Sequence, residues 1–203
     1  MQPTQDEASK RQAFSARADA LVGCFITEVS YWDVHDFGPD PRVWDYGDWH
    51  HAVLGVELLT NLGPRSIMWT NAFFPYGAEL LAGPITEHLH VGSQGPQGWR
   101  VEGHREWQVR LGTPVRAASY FWELIQLGPS IASDGAQLAD ARSTSVPVAL
   151  RLDFDAGPVW MVAGIPQLPD VASVFIPGNE IMVVFSAARM HLVGFPDTPF
   201  TRT

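Results

Sequence analysis

The residues best suited to chemistry are concentrated between positions 28 and 57. This stretch contains seven acids, one arginine and three tryptophans, for a local net charge of −6. Carboxylates and imidazoles can transfer protons or bind a metal ion, and long loops that concentrate such groups are often functional. The candidate catalytic residues are Asp33, His35, Asp45, His50 and Glu57. We therefore expect the functional site in this stretch.

One hypothesis for this stretch is non-catalytic partner binding, as in immunity and antitoxin-like proteins. Acidic loops steer basic partners, and tryptophans anchor interfaces. The predicted contact residues in the loop 31–50 are Trp32, Trp44, Asp45, Asp48 and Trp49. This hypothesis predicts a basic protein partner and no cofactor. A structural role stays open beside it, in which the tryptophans cover a sheet and the aspartates cap turns.

The alternative hypothesis is a small-molecule enzyme with a pocket under the loop 33–50. A metal ion would assist it, and the weak candidate ligands are His50, His88 and His90, because imidazole suits zinc, iron or manganese. The H-x-H spacing has low specificity, and the sequence contains no HExxH motif and no paired CxxC. A surface loop or short helix after Pro84 is the structural explanation for the last two histidines.

The overall composition excludes several function classes. The 203 residues include 22 acids and 13 bases, and a net charge of −9 disfavours nucleic-acid binding. The longest uncharged stretch, residues 156–169, contains three prolines and is too short to span a membrane. Because the N-terminal residues do not resemble a secretory signal, we expect a cytoplasmic protein. The single cysteine, Cys24, lies in an apolar stretch and is expected to be a buried thiol.

Four arginines, at positions 100, 105, 110 and 116, follow the acidic stretch. We expect them on the solvated face of an apparent strand. They also have the chemistry to bind a carboxylate or phosphate, or to pair with the acidic loop inside the fold or across a homo-oligomer.

Three short motifs resemble a known group of proteins. They are WDxGxxH at 44–50, GVELxT at 55–60 and GNEIxVVF at 178–185. Together they resemble a group of small bacterial proteins that have no assigned activity. The resemblance spans roughly residues 25–195. It implies a bacterial cytosolic domain and no particular reaction, cofactor or catalytic residue.

The elements that must position these residues indicate a single α+β domain with a mainly antiparallel sheet. Six to seven strands and two or three short helices are predicted from hydrophobic periodicity and turn residues. We expect residues 1–23 to form an N-terminal helical segment, 24–195 the domain and 196–203 a C-terminal tail.

Several local features follow from the same patterns. Residues 61–64 and 155–158 are predicted hairpin turns, and Ser186 is the expected N-cap of a helix that ends at Gly194. Residues 78–81 are expected to form a helical turn. The segment 113–125 favours a strand over a helix, because of its aromatic residues.

Overall fold

The computed structural model describes residues 5–34, 43–73, 75–89, 95–131, 133–134, 137–167 and 170–195. Its helices are α1 (Gln5–Asp19), a 3₁₀ helix (Ile85–Glu87), α2 (Arg105–Gln108) and α3 (Ala187–Leu192). Its strands are β1 (Ile26–Asp33), β2 (Trp49–His51), β3 (Gly55–Thr60), β4 (Gly63–Thr70), β5 (Gly77–Ala82), β6 (Gln97–Arg100), β7 (Ala117–Leu127), β8 (Ser130–Ile131), β9 (Gln137–Ala139), β10 (Arg142–Asp153), β11 (Val159–Ala163), β12 (Ile165–Gln167), β13 (Asp170–Phe175) and β14 (Ile181–Val184). None of these helices has the length and apolar character needed to cross a membrane.

Two five-stranded antiparallel sheets form most of the fold. The first has the strand order β5-β4-β3-β1-β6, and the second has the order β2-β14-β11-β10-β7. Two short two-stranded sheets, β8-β9 and β12-β13, are added to them. The expected mainly antiparallel α+β architecture is confirmed at this level. The predicted six to seven strands are too few.

The strands that the sequence did not reveal are polar, short or built from helix-forming residues. β10 starts at Arg142, well before the apolar alternation near residue 150, because its exposed polar end pairs with the end of β7. The predicted helical turn at 78–81 is wrong, since these residues belong to β5. Pairing with β4, in which Ala78 lies opposite Trp69, overrides their helix propensity.

Both sheets contribute to one hydrophobic core. β11 and β14 are buried along their whole length, as expected for continuous apolar runs in the middle of a sheet. α1 packs against β5 and β7 and places Phe14 and Ala18 in the core, and Leu21 follows in the turn after the helix. Cys24 is also buried, as predicted. The N-terminal helix is thus part of the core.

The predicted turns and caps are present. Thr60 pairs with Gly63 in the first hairpin, and Leu152 pairs with Val159 in the second. The Oγ of Ser186 accepts a hydrogen bond from the backbone N–H of Arg189 at 3.0 Å, so it caps α3 as expected. Gly194, at φ +98°, ends that helix in the left-handed conformation that glycine adopts readily. The segment expected as a strand at 113–125 contains the start and most of β7.

The arginine-rich stretch differs from its prediction. It contains α2, which begins at Arg105, and the side chain of Arg110 is buried with 3% exposure. Arg110 donates to the carbonyl oxygens of Glu106, Gly157 and Pro158, so the hairpin turn after β10 satisfies much of its guanidinium. The expectation of a solvated arginine is therefore wrong at this position.

Candidate functional site

The candidate site is built first from a tight hairpin of residues 44–51, called here the 44–51 hairpin. Asp45 and His50 form an antiparallel bridge, and the N–H of Tyr46 donates to the carbonyl of Trp49 at 3.0 Å. The turn needs Gly47, whose φ of +91° is costly for other residues. The Oδ1 of Asp45 accepts the N–H of Gly47 at 2.8 Å. This hairpin places a carboxylate next to an imidazole.

A second imidazole reaches the same point from a distant part of the chain. His104 precedes α2 and is its N-cap, with Nδ1 accepting the N–H of Glu106 at 3.4 Å. The segment before His104 is held by the first sheet, because the N–H of Val101 donates to the carbonyl of Val29 on β1. One turn of α2 then buries Trp107 completely. β1 and α2 together therefore bring His104 to the 44–51 hairpin.

Three possible metal-ligand atoms converge here. The Nε2 of His104 lies 3.2 Å from Oδ2 of Asp45, and the Nε2 of His50 lies 3.7 Å from Oδ1 of the same carboxylate. All three side chains can place one ligand atom within 4.8 Å of the others. The side chain of His50 is fully buried, and its Nε2 has no hydrogen-bond partner. A buried, unpaired polar atom is costly, so this nitrogen requires an explanation.

The other nitrogen of His50 is held by a buried chain of hydrogen bonds. The Nε1–H of Trp107 donates to the hydroxyl oxygen of Tyr31 at 2.7 Å. That hydroxyl lies 2.7 Å from Nδ1 of His50. The direction of this contact depends on the tautomer of His50: when the ring carries its proton on Nδ1, it donates to the Tyr31 oxygen and Nε2 keeps a free lone pair. The chain fixes the ring so that Nε2 points to the carboxylate.

The electrostatics of the cluster follow from burial and from the proximity of its members. Burial and the neighbouring His104 lower the pKa of His50 to about 3, although Asp45 opposes the shift. Burial alone would raise the pKa of Asp45. The N–H of Gly47 and the two histidines outweigh that effect and lower it. Near neutral pH the site therefore contains a neutral His50 ring beside an ionised carboxylate.

Aromatic rings surround the imidazoles. Trp44 contacts His50 edge-on at a centroid distance of 4.9 Å and His104 at 5.9 Å. Phe185, which precedes α3, contacts the His50 ring at 4.7 Å. Trp99 of β6 lies beside Tyr31 and Trp44. On the solvent side Asp45 has a side-chain exposure of 44% and His104 of 17%, so the cluster is open from that direction.

The structure separates several of the sequence candidates from this cluster. Glu57 lies opposite Ser30 on the sheet face that also carries Trp32, while Tyr31 lies on the other face. Its Oε2 accepts the N–H of Ile85 and so holds the 3₁₀ helix. The Trp32 ring lies against Gly98, whose missing Cβ leaves room for it. These two candidates are therefore not in the cluster.

The remaining described candidates have partners within the fold. Asp33 is buried at the end of β1 and accepts the N–H of Val34 at 2.6 Å. Asp48 binds Arg189, and Trp49 is fully buried and stacks on Tyr46 at 4.3 Å. His88 follows the 3₁₀ helix, consistent with the structural explanation, and its Nε2 bonds the carbonyl of Ala82 at 2.8 Å.

Two sequence candidates and one overlooked residue complete the comparison. His35 and His90 lie outside the described residues. His104 was not a sequence candidate, although its ring contacts His50 at a centroid distance of 4.3 Å. No local motif marks it, because its partners are more than fifty positions away along the chain. Only the pairing of strands across the fold makes it a neighbour.

The chain was also compared with known proteins. No protein-family model, no curated protein and no solved structure matches it. The functional argument therefore depends on the geometry of the cluster.

Proposed function

We propose that this protein binds a divalent transition-metal ion through Asp45, His50 and His104 and uses it to act on a small molecule. The observation that carries the proposal is the fully buried, unpaired Nε2 of His50, which faces a carboxylate and a second imidazole. A metal ion would give that nitrogen a partner, provided that Nε2 of both rings carries no proton. His50 would then donate from Nδ1 to Tyr31, and His104 would carry its proton on Nδ1 and lose the 3.4 Å contact from the N–H of Glu106.

The spacing of the donor atoms supports a metal ion. Zinc binds histidine nitrogen and carboxylate oxygen at about 2.0–2.2 Å, so tetrahedral ligands lie about 3.3 Å apart. The Nε2 of His104 lies 3.2 Å from Oδ2 of Asp45, the Nε2 of His50 lies 3.7 Å from Oδ1, and one ligand atom from each of the three residues lies within 4.8 Å of the others, which is close to that geometry. Two imidazoles with one carboxylate suit zinc or iron(II), whereas calcium and magnesium prefer oxygen ligands. Zinc is the appropriate first probe.

The number of ligands and their exposure support a catalytic role over a structural one. Structural zinc sites use four protein ligands, while catalytic sites use three and keep a position for water or substrate. Among the described residues, this cluster supplies three ligand side chains, and Asp45 is partly exposed. An ion bound here would polarise a substrate oxygen or lower the pKa of a bound water molecule.

A general-base role for either histidine has less support. Both nitrogens of His104 face internal partners, the carboxylate of Asp45 and the N–H of Glu106. His50 is fully buried, with one nitrogen on Tyr31 and the other facing the cluster. Neither ring presents a free nitrogen to a molecule that arrives from solvent. The arrangement therefore favours Asp45, His50 and His104 as ligands of one central ion.

Partner binding through the loop 31–50 stays a prediction with less support. Trp49 and Asp48 are engaged within the fold, and Trp44 packs on the two histidines. An interface anchor must be available to the partner. The expected basic protein partner and a homo-oligomer are likewise predictions for experiment.

The metal proposal is tested by titrating tag-free protein with zinc in a calorimeter. We expect one ion per chain for the wild type. His104→Gln removes one ligand, so its affinity should be lower by more than about 100-fold, beyond the loss typical of an outer-shell residue. His88→Gln is the matched control, because that ring lies outside the cluster and bonds a backbone carbonyl. No binding, or equal affinity in both variants, would overturn the proposal.

The catalytic part is tested with the cobalt(II)-loaded protein. Cobalt reports its ligands through visible absorption, and azide is a small anion able to occupy an open position. A spectral change on adding azide is expected if the ion keeps a position for substrate. An unchanged spectrum would indicate a closed structural site and would contradict catalysis, while leaving metal binding itself established.

A further inference from the structure

A second group of contacts connects the turn of the 44–51 hairpin to α3. Asp48 is in the turn between the two proposed ligands of this hairpin. Its carboxylate accepts Nε of Arg189 at 3.1 and 3.2 Å and Nη2 of the same arginine at 3.0 Å. It also accepts the hydroxyl of Ser186 at 3.3 Å. The turn is thereby tied to the first residues of α3.

The backbone strengthens this connection. The N–H of Phe185 donates to the carbonyl of Asp48 at 3.0 Å, and the Phe185 ring contacts both His50 and Trp107. The segment that leads into α3 therefore touches the turn and one proposed ligand. A change in the packing of α3 would reach the cluster through the adjacent residues Phe185 and Ser186.

We infer that Arg189 is a positioning residue for the proposed metal site and acts through Asp48. This inference depends on the metal binding proposed above. An arginine that binds a carboxylate with two nitrogens fixes its orientation as well as its position. Metal sites require ligand distances within about 0.2 Å of their ideal values. The turn carries one proposed ligand on each side of Asp48. Holding the turn in a fixed geometry should therefore increase the affinity of the site for the ion.

The burial of the pair supports this role. Arg189 has a side-chain exposure of 16%, and Asp48 has an exposure of 39%. The contact is thus shielded more than a typical surface ion pair, which would contribute little. By linkage, if the docking of α3 favours the ion, the ion must favour the docking of α3 by the same factor.

The chain offers a matched ion pair at a different place. Arg116 binds Asp155 through Nε at 2.9 Å and Nη2 at 2.7 Å, beside the hairpin turn between β10 and β11. Both side chains are more than half exposed. Neither belongs to the cluster. Arg116→Met therefore removes the same chemistry without changing the support of the 44–51 hairpin.

The experiment compares the zinc affinity of Arg189→Met with that of Arg116→Met in the full chain. We expect Arg189→Met to bind zinc 10–100-fold more weakly than the wild type, as for other outer-shell losses. Arg116→Met should stay within about twofold, as expected for a distant site. Arg189→Lys keeps one charged donor and should have intermediate affinity, which guards against failure of the methionine variant to fold.

A second readout separates positioning from stability alone. Zinc should slow amide hydrogen exchange in α3 of the wild type, and this protection should be smaller in Arg189→Met. A lower melting temperature with unchanged zinc affinity would overturn the inference. If the wild type itself binds no zinc, the metal proposal fails first, and this inference fails with it. The two failures are thus distinguishable.

Discussion

His50 and His51 are neighbours on β2, yet their surroundings differ in kind. Successive residues on a strand point to opposite faces. His51 places Nε2 2.7 Å from Oε2 of Glu180, so one carboxylate satisfies it. His50 places Nε2 3.7 Å from a carboxylate that also faces His104, and it has no hydrogen-bond partner there. The first histidine makes a closed pair, and the second belongs to an open cluster.

The difference indicates what would distinguish the proposed metal site from a structural contact. Residue type, strand and burial are nearly the same for the two rings. What differs is the number of ligand atoms that converge and the buried support on the other nitrogen. Tyr31 and Trp107 supply that support to His50. Outer-shell partners of this kind are typical of metal-binding histidines.

The largest expected effect comes from replacing the two histidines separately. His50→Gln should reduce zinc affinity by more than about 100-fold, because a ligand and its supported geometry are both lost. His51→Gln should stay within about twofold of the wild type. Calorimetric titration measures both, with circular dichroism as the control for folding. Equal losses in the two variants would remove the contrast between the rings.

A smaller effect is expected in the pH dependence of stability. The pKa of His50 is about 3 in the folded protein, because of burial, and about 6.5 in the unfolded chain. Between these values the unfolded state binds a proton that the folded state does not, so stability falls as pH falls. The loss approaches about 1.4 kcal/mol per pH unit.

This pH effect is measured by urea unfolding of the metal-free protein at several values between pH 3 and 6.5. His50→Gln should have a shallower slope than the wild type, because glutamine does not titrate. The same slope in both proteins would mean that folding does not lower the pKa of His50, and the low value would be wrong. His51→Gln, measured in parallel, shows how much of the slope comes from His51.

The smallest effect is expected for the closed pair. Glu180→Gln keeps an oxygen that can accept from His51 but removes the charge. Because Glu180 is partly exposed, we expect a loss of about 1 kcal/mol or less in the free energy of unfolding. Zinc affinity should be unchanged within about twofold. A large loss of affinity would show that the two faces of β2 are coupled, which weakens the comparison.

Much of the fold was accessible from sequence because its signals are local. The turns at 61–64 and 155–158, the cap at Ser186 and the N-terminal helix depend on a few adjacent residues. Long-range strand order is not encoded in this way. β1 shows a further limit, because a register irregularity between Ile26 and Glu28 disturbs the simple alternation of its faces.

The site was accessible only in part for the same reason. Asp45 and His50 were candidates because they lie in one short segment rich in acids and aromatics. Glu57 belonged to the same segment, but strand pairing turns it to the opposite face. His104 joins the cluster from beyond β6, where no motif identifies it. Composition located the region, and tertiary structure selected its members.

The pairing of β2 has a consequence for the order of assembly. β2 is an edge strand whose one neighbour in the sheet is β14, about 130 residues later in the chain. Such distant pairings form late, because the entropy of closing a long loop must first be overcome. His50 therefore reaches its final place only when the chain as far as β14 is available. In contrast to a zinc finger, in which the ion drives folding, this cluster would receive its ion after folding is nearly complete.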